Sequence, residues 1–422
     1  MGLARGWHFF KSNRNQGMNQ KLMTSVSTAT NGKGTATDIN SVQLIEDSEM
    51  IGTTQGTDRP AKNSRKGTAV QNKTVSVALD LDAGSSRCKF VVNGWAGSYP
   101  SVFKEVSGEL PSGISGCFSL GNKNYAAGRV TSSLNGTLTE AFRDNKIKYL
   151  HIWLLGALTN CPDLLRDIAE GRKYKGKPAR LKITLRLLSL SSSRKNDIAK
   201  TLQGIKTFTW EGTAFEIEFA NIDNCLYPEG YGSACLASTL LSKSEVDIQE
   251  FCIIDLGGGT LTFSTYQVGK KPRAVEQTPG SGNGMKAIIE RLSIALSRTD
   301  RGGIQFKKEN LESALQNSKP DDKGSHSVRY RHGQESLEIG DTVTHALSEW
   351  VAEMPIVESL LTKVSQALLN GTPVFACGGG FAISVIADWL RAYVCSDIEN
   401  PRFQVLENPQ SINLVGLRYL ES

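Results

Sequence analysis

One short pattern occurs twice in the chain, each time where an apolar run ends. Residues 75–81 are mostly apolar and lead into the letters DAGSS at 82–86, and the apolar residues 251–254 lead into DLGGG at 255–259. In both copies an Asp, any residue, a Gly and two small residues are followed by a second strand-like run, which predicts a hairpin. Two matched turns so far apart in sequence indicate an internal repeat of a whole folding unit.

The residue types of the repeat suit a bound polyphosphate. Tiny residues at a turn let backbone N–H groups approach phosphate oxygens that a Cβ-bearing loop would obstruct. An Asp at each strand end can hold, through waters, the Mg²⁺ that bridges such phosphates, because Mg²⁺ takes few protein carboxylates. We therefore predict that Asp82 and Asp255 organise the metal, and that Lys89 offsets phosphate charge. The predicted phosphate cradle consists of Gly84, Ser85, Ser86, Gly257, Gly258, Gly259 and Thr260.

A third glycine run strengthens this interpretation. Gly378, Gly379 and Gly380 follow another apolar strand, residues 373–377. Each turn taken alone is more typical of an ordinary hairpin or a flexible turn than of a ligand site, but three such runs after apolar strands favour one shared ligand site. The chain has no G-x-x-x-x-G-K-[ST] and no G-x-G-x-x-G that opens a helix after a strand, which excludes the Walker and Rossmann routes to nucleotide binding.

Residues 1–73 differ in composition from the rest of the chain. They are rich in Ser, Thr, Asn, Gln and Gly and lack periodicity, which predicts a disordered extension. They carry ten Lys and Arg against five Asp and Glu, so the remainder is almost neutral. A neutral body disfavours a broad grip on nucleic acid by the folded part. A targeting peptide, a membrane-associating segment and a basic arm for DNA stay open as alternatives for this tail.

From residue 74 onward, strand and helix patterns alternate, which predicts an α/β fold. Periodicity predicts helices at 145–158, 162–170, 232–241, 285–296, 343–369 with a break at Pro355, and 382–394; it predicts strands at 182–190 and a hairpin at 208–219. No apolar run approaches the roughly 18 residues that a membrane-spanning helix needs. The eight cysteines form no C-x-x-C pair, which favours a reducing compartment, and Cys88, Cys252 and Cys377 are expected to be small buried hydrophobes.

These residues resemble the superfamily of actin, the heat-shock chaperone ATPase domains and the sugar kinases. Residues 82–89 look like its first phosphate loop, 255–260 like its second, and 378–380 like its adenosine-side glycines. Within the superfamily, the letters PEG at 228–230 and NPQSINLVG at 408–416 are most similar to the actin-like ParM and StbA proteins of plasmid segregation. Ile412 departs from the Ala that this family usually carries.

The resemblance implies a duplicated actin-like, ribonuclease H-like fold around a nucleotide cleft. It implies domain I at 74–245, domain II at 246–400, and a C-terminal segment at 401–422 that returns to domain I. It implies that the cleft binds ATP with Mg²⁺, with GTP not distinguished, and that Glu229 positions or deprotonates the attacking water. A positioned general base is reasonable there, although an acid near a helix start is also favoured by the helix dipole alone.

The resemblance further implies a cytoplasmic protein that assembles head to tail into homopolymeric filaments and moves plasmid DNA. Its other partners would be a DNA-binding adaptor protein and, through it, a centromere-like plasmid site, with no membrane partner. Two alternatives stay open at this point: a small-molecule kinase of the same superfamily, and a nucleotide switch that does not polymerise.

Overall fold

The computed structural model describes residues 72–141, 145–188, 195–244, 247–298, 305–320 and 326–420. The predicted disordered tail lies outside the described residues except for Asn72 and Lys73. Asn72 belongs to the body, because its buried side-chain amide donates to the backbone carbonyls of Tyr174, Lys177 and Pro178 at 3.1, 3.1 and 3.0 Å. The folded part therefore begins slightly before the predicted boundary.

The first half of the body is built on an eleven-stranded sheet. Its strands are β1 Thr74–Ala83, β2 Arg87–Val92, β3 Trp95–Pro100, β4 Val102–Val106, β5 Cys117–Leu120, β6 Lys123–Ala127, β7 Gly136–Glu140, β8 Ala179–Leu188, β9 Thr207–Trp210, β10 Thr213–Phe219 and β11 Leu226–Tyr227. Their order is β3-β2-β1-β8-β10-β9-β5-β6-β4-β7, with β11 beside β8. The β1–β2 pair is antiparallel and the β1–β8 pair is parallel, so the first acidic turn lies at the carboxyl end of a central strand.

In the described part of the chain up to residue 244, five α-helices alternate with or follow these strands in sequence. They are α1 Asn145–Lys148, α2 Leu150–Thr159, α3 Pro162–Glu170, α4 Lys195–Gln203 and α5 Tyr231–Ser242. Nine of the ten residues of α2 are buried, because the helix is apolar on all sides and lies against β1, β2, β5 and β6. The single helix predicted at 145–158 is in fact two, separated at Tyr149, whose ψ of 23° is not helical.

The second half repeats the plan with a five-stranded sheet. The strands of this half are β12 Glu250–Leu256, β13 Thr260–Gln267, β14 Arg273–Ser281, β15 Lys319–Pro320, β16 His326–Ser327, β17 Arg329–His332, β18 Glu335–Glu338, β19 Val374–Cys377 and β20 Phe403–Val405. The main sheet has the order β14-β13-β12-β19-β20, and β15–β16 and β17–β18 are separate pairs. β12 is antiparallel to β13 and parallel to β19, which matches the surroundings of β1 and places the second acidic turn equivalently.

Three predicted helical stretches of the second half are confirmed, and two further helices, Lys308–Gln316 and Ile412–Val415, were not predicted. The helices of the second half and the C-terminal segment are α6 Met285–Ser297, α7 Lys308–Gln316, α8 Gly340–Glu353, α9 Pro355–Leu369, α10 Ser384–Val394 and α11 Ile412–Val415. The predicted break at Pro355 is confirmed. Pro355 is the first residue of α9, a position where the backbone N–H has no partner within the helix, so its absence in proline costs no hydrogen bond. Among the described residues, none of the helices has the length and apolar character that crossing a bilayer requires.

Helix α5 and strand β20 both pack on the second half of the body. Each sheet has its own large core, but α5 contributes Ala234 and Ala237 to a third core with Phe251 and Phe375 of the second sheet. Helix α5 therefore packs on the second half, although the predicted first domain ran to residue 245. Likewise β20 extends the second sheet, so the part of residues 401–422 that packs on α5 and on the first sheet is 412–420.

Helix α5 and the C-terminal segment cross at two glycines. A Cβ added to Gly232 would collide with the backbone of Asn413, and one added to Gly416 would collide with the backbone of Gly232. The two segments approach so closely that only glycine fits at both positions.

Candidate active site

The two acidic turns meet tip to tip. A Cβ added at Gly258 would collide with the Ser86 hydroxyl, and one added at Gly259 would lie 2.9 Å from the Ser85 hydroxyl oxygen. The tiny residues predicted as a phosphate cradle therefore lie against each other where the two turns meet, and this junction between the two sheets is called the cleft below. This arrangement brings together the two copies of the repeat, which are far apart in sequence.

The first turn is supported by a buried serine from the next strand connection. The Ser101 hydroxyl donates to the Gly84 carbonyl at 2.5 Å, and the Ser101 N–H donates to the Ser86 carbonyl at 3.0 Å. Asp82 pairs in register with Lys89 on the adjacent strand, and the Lys89 Nζ lies 3.6 Å from Asp82 Oδ2. The antiparallel register thus explains why a Lys seven residues after the Asp reaches its carboxylate.

The second turn is supported by the start of a helix. The N–H groups of Met285 and Lys286 donate to the carbonyls of Gly257 and Gly258 at 3.0 and 2.9 Å. These are donors of the first turn of α6, which have no partner within their own helix. A Cβ at Gly284 would lie 2.5 Å from both the Gly257 carbonyl oxygen and the Thr260 nitrogen, so the helix start is pressed directly against the turn.

Asp255 is buried and held by a short hydrogen-bonded chain. The Asn413 side-chain amide donates to Asp255 Oδ2 at 2.6 Å, and the Ser233 hydroxyl donates to Asn413 Oδ1 at 2.6 Å. Burial raises the pKa of Asp255, and the nearby Lys89 charge and the Asn413 hydrogen bond oppose that rise. Gly378 has φ +96°, and a Cβ there would overlap Asp255 Oδ1, so only glycine leaves this carboxyl in place.

Glu229 lies at the junction between β11 and α5. The chain turns there through Gly230, whose φ is +79° and which caps α5. Burial raises the pKa of Glu229 to about 7, and the charges of Asp82 and Asp255 add to the rise, whereas Lys146 and Lys89 oppose it. The Glu229 carboxyl therefore interacts electrostatically with the Asp residues of both acidic turns. A pKa close to 7 suits a general base at neutral pH.

The third glycine run borders the same cleft. The Gly380 N–H donates to the Leu256 carbonyl at 2.9 Å, and a Cβ at Gly380 would collide with the Leu256 side chain. A Cβ at Gly379 would meet no atom within 4 Å. Gly378 and Gly380 are thus packed against the second turn, whereas Gly379 between them borders open space.

The cysteines near the site are buried, as predicted. Cys88, Cys252 and Cys377 have almost no exposed surface. Burial raises the pKa of Cys88 to about 12 and that of Cys252 to about 11. A thiol protonated at neutral pH is a poor nucleophile, so these residues act as small apolar side chains.

Three contact residues of the site were not predicted. Ser101 and Lys146 carry no local signal, because each reaches the cleft only through tertiary structure. Asn413 lies in the 408–416 segment that the resemblance singled out, but the sequence does not show that it bonds to Asp255, 158 positions away.

The carboxylates of the cleft suit a metal that is shared with a ligand. In the described part of the chain, no group of three or more His, Cys, Asp and Glu side chains could hold a metal ion by itself. Mg²⁺ bound to phosphates needs few protein carboxylates and keeps several waters. Asp82 near the end of β1 and Asp255 near the end of β12, each beside one of two turns that touch each other, fit this requirement.

The fold is that of the bacterial actin-like proteins. Two sheets with the same local plan, each ending in an acidic turn that faces a common cleft, define the duplicated actin-like architecture, and the predicted fold class is confirmed.

Among solved structures, those of ParM-type proteins are similar to the chain throughout its body. A ParM from a 15-stranded filament of Clostridium botulinum has 16% identity and a TM-score of 0.57, covering 82% of this chain and 98% of that one. An archaeal actin homologue has 18% sequence identity and a TM-score of 0.58, covering 82% of this chain and 98% of that one. Bacillus thuringiensis ParM with ATP has 16% sequence identity and a TM-score of 0.51, covering 82% of this chain and 97% of that one. No protein-family model and no curated protein matches the chain. At such identities the similarity establishes the fold.

Proposed function

We propose that the protein is an actin-like ATPase that binds ATP with Mg²⁺ between its two acidic turns. The observation that supports this most directly is the meeting of Ser85 and Ser86 with Gly258 and Gly259. Backbone N–H groups at such turns are suited to phosphate oxygens, and the similar ParM of Bacillus thuringiensis was solved with ATP.

Each cleft residue has a distinct task in this proposal. Asp82 and Asp255 hold the metal through its waters, and Lys89 offsets phosphate charge. Gly378, Gly379 and Gly380 line the adenosine side, and Thr260 completes the second turn. When bound, Mg²⁺ supplies positive charge that stabilises the transferring phosphoryl group.

Glu229 directs the attacking water. Its carboxylate accepts a proton as the water oxygen forms a bond to the γ-phosphorus, and the bond from that phosphorus to the oxygen of ADP breaks. Because the pKa of Glu229 is raised to about 7, the carboxylate is a stronger base than an ordinary Glu and is still ionised in part at neutral pH. General-base catalysis contributes roughly 10²- to 10⁴-fold.

The proposal extends to assembly and cellular role. Head-to-tail polymerisation of the ATP form is supported by the fold, which is shared with the ParM of the Clostridium botulinum filament. Movement of plasmid DNA in the cytoplasm through a DNA-binding adaptor is the role that the ParM and StbA resemblance implies. Self-association of this kind joins two different surfaces of each subunit, and where the rotation between subunits does not close a ring it produces an open filament.

Light scattering and phosphate release, measured together, test the proposal. With ATP and Mg²⁺ we expect scattering to rise only above a critical protein concentration, and phosphate release to follow; ADP is the matched control. GTP in parallel reactions decides the base preference. Phosphate transfer that requires an added sugar would instead favour the kinase alternative, and ATP binding without scattering at any concentration would contradict polymerisation.

A further inference from the structure

An ammonium group from the first half lies beside Glu229. The Lys146 Nζ is 3.8 Å from Glu229 Oε1, and the two side chains are only 27% and 20% exposed. The other charged groups that face Glu229 are Lys89 on β2, Asp82 on β1 and Asp255 on β12.

The position of Lys146 is fixed by the core of the first half. Lys146 belongs to the short helix α1, whose first residue, Asn145, accepts a hydrogen bond at its carbonyl from the Trp153 indole N–H at 3.4 Å. The Asn145 side-chain amide donates to the Glu140 carbonyl at 3.2 Å. Trp153 is fully buried, so the Lys146 backbone stands on a rigid support, as a preorganised site requires.

The two lysines of the cleft have separate partners. Lys89 lies opposite Asp82 at 3.6 Å, and Lys146 lies opposite Glu229. Three carboxyl groups share this cleft, and their mutual repulsion together with burial favours the protonated form of Glu229. A protonated carboxyl cannot accept the proton of the attacking water, and an ammonium 3.8 Å away favours the ionised form that can.

We infer that Lys146 is a positioning residue for Glu229: its ammonium orients the carboxylate and keeps it ionised for proton abstraction. For the hydrolysis step the inference rests on the proposed function. The ion pair itself is a property of the protein without ligand, so it can be tested separately.

The first test is a carboxyl titration of the full chain without nucleotide. Glu side chains are labelled with ¹³C, and the Glu229 signal is identified by its loss in Glu229→Gln. In Lys146→Met we expect the Glu229 midpoint to rise by about 1 pH unit, the lower end of the effect of an adjacent opposite charge. Lys148→Met, on the exposed side of the same helix, should leave the midpoint unchanged, and Lys146→Arg should restore it. An unchanged midpoint in Lys146→Met would overturn the inference.

The second test is phosphate release against pH. A midpoint that moves from about 7 to about 8 lowers the ionised fraction at pH 7 by about fivefold, so turnover of Lys146→Met should fall by that factor and recover near pH 9, with KM for ATP unchanged. A loss that is equal at every pH would indicate a merely structural role and would contradict the inference. If the unsubstituted protein releases no phosphate, the proposed ATPase fails, while the carboxyl titration still decides the role of Lys146.

Discussion

The two acidic turns have nearly the same sequence pattern but different supports. The first is held by the side chain and N–H of Ser101, and its Asp82 keeps some exposure beside Lys89. The second is held by backbone donors from α6, and its Asp255 is buried against Asn413. The repeated turn sequence determines the shape of the loop. The rest of each half determines how many hydrogen bonds hold the loop and how far its carboxylate is buried.

Replacing the carboxyl that lies between the turns should have the largest effect. In Glu229→Gln we expect phosphate release to fall 10²- to 10⁴-fold, equivalent to about 3 to 5 kcal/mol, because the water loses its base. ATP affinity should change little, since the turns remain intact. Single-turnover phosphate release measures the effect, with Glu109→Gln, an exposed site, as the matched control. Full activity in Glu229→Gln would remove Glu229 from the mechanism.

The same carboxyl should make stability depend on pH. Because the pKa of Glu229 is raised to about 7 in the folded protein, its contribution is fully present below about pH 4.3 and is lost as the pH rises to about 7. The loss amounts to about 4 kcal/mol above pH 7. Glu229→Gln carries no such loss, so the free energy of unfolding of the unsubstituted protein should decline relative to that of the variant over this window. Urea unfolding at a series of pH values measures the difference, and parallel curves would refute it.

Added methyl groups should distinguish the supports of the two turns. Gly284→Ala places a Cβ within 2.5 to 2.8 Å of backbone atoms of the second turn, whereas Gly84→Ala meets one backbone oxygen, of Arg87, at 2.6 Å. Overpacking costs about 1 to 3 kcal/mol, and we expect Gly284→Ala near the upper end and Gly84→Ala below it. Gly176→Ala, with no atom nearby, is the control. Denaturant unfolding gives the ranking, and the reverse order would mean that the second turn is the softer one.

Single hydrogen-bond deletions should give the smallest effects and the same ranking. Asn413→Ala leaves the buried Asp255 carboxyl without its amide donor, which costs about 2 kcal/mol. Ser101→Ala removes one hydroxyl donor from the first turn, which costs about 1 kcal/mol. Thermal unfolding of both variants and of the unsubstituted protein at one pH measures these losses in the free energy of unfolding. Equal losses would contradict this ranking of the two supports.

Local patterns predicted the elements and the turns, because their causes are local. Residues 285–296 have helical periodicity and form α6, and the 208–219 run forms a hairpin with Glu211 and Gly212 at positive φ in its turn. The predicted cleft residues also lie together, because the repeat has equivalent positions in both halves. Lys146 and Asn413 could not be predicted, since their roles depend on partners that only the tertiary structure brings near.

The crossing of Gly232 and Gly416 has a mechanical consequence. Main-chain atoms that touch directly have no rotamers with which to absorb a displacement, so the separation of α5 from the C-terminal segment is set by van der Waals contact between backbone atoms. A change in their crossing angle must then shift Asn413, three residues before Gly416, and with it the hydrogen bond to Asp255. A displacement of residues 412–416 is in this way transmitted to the carboxylate of the second acidic turn.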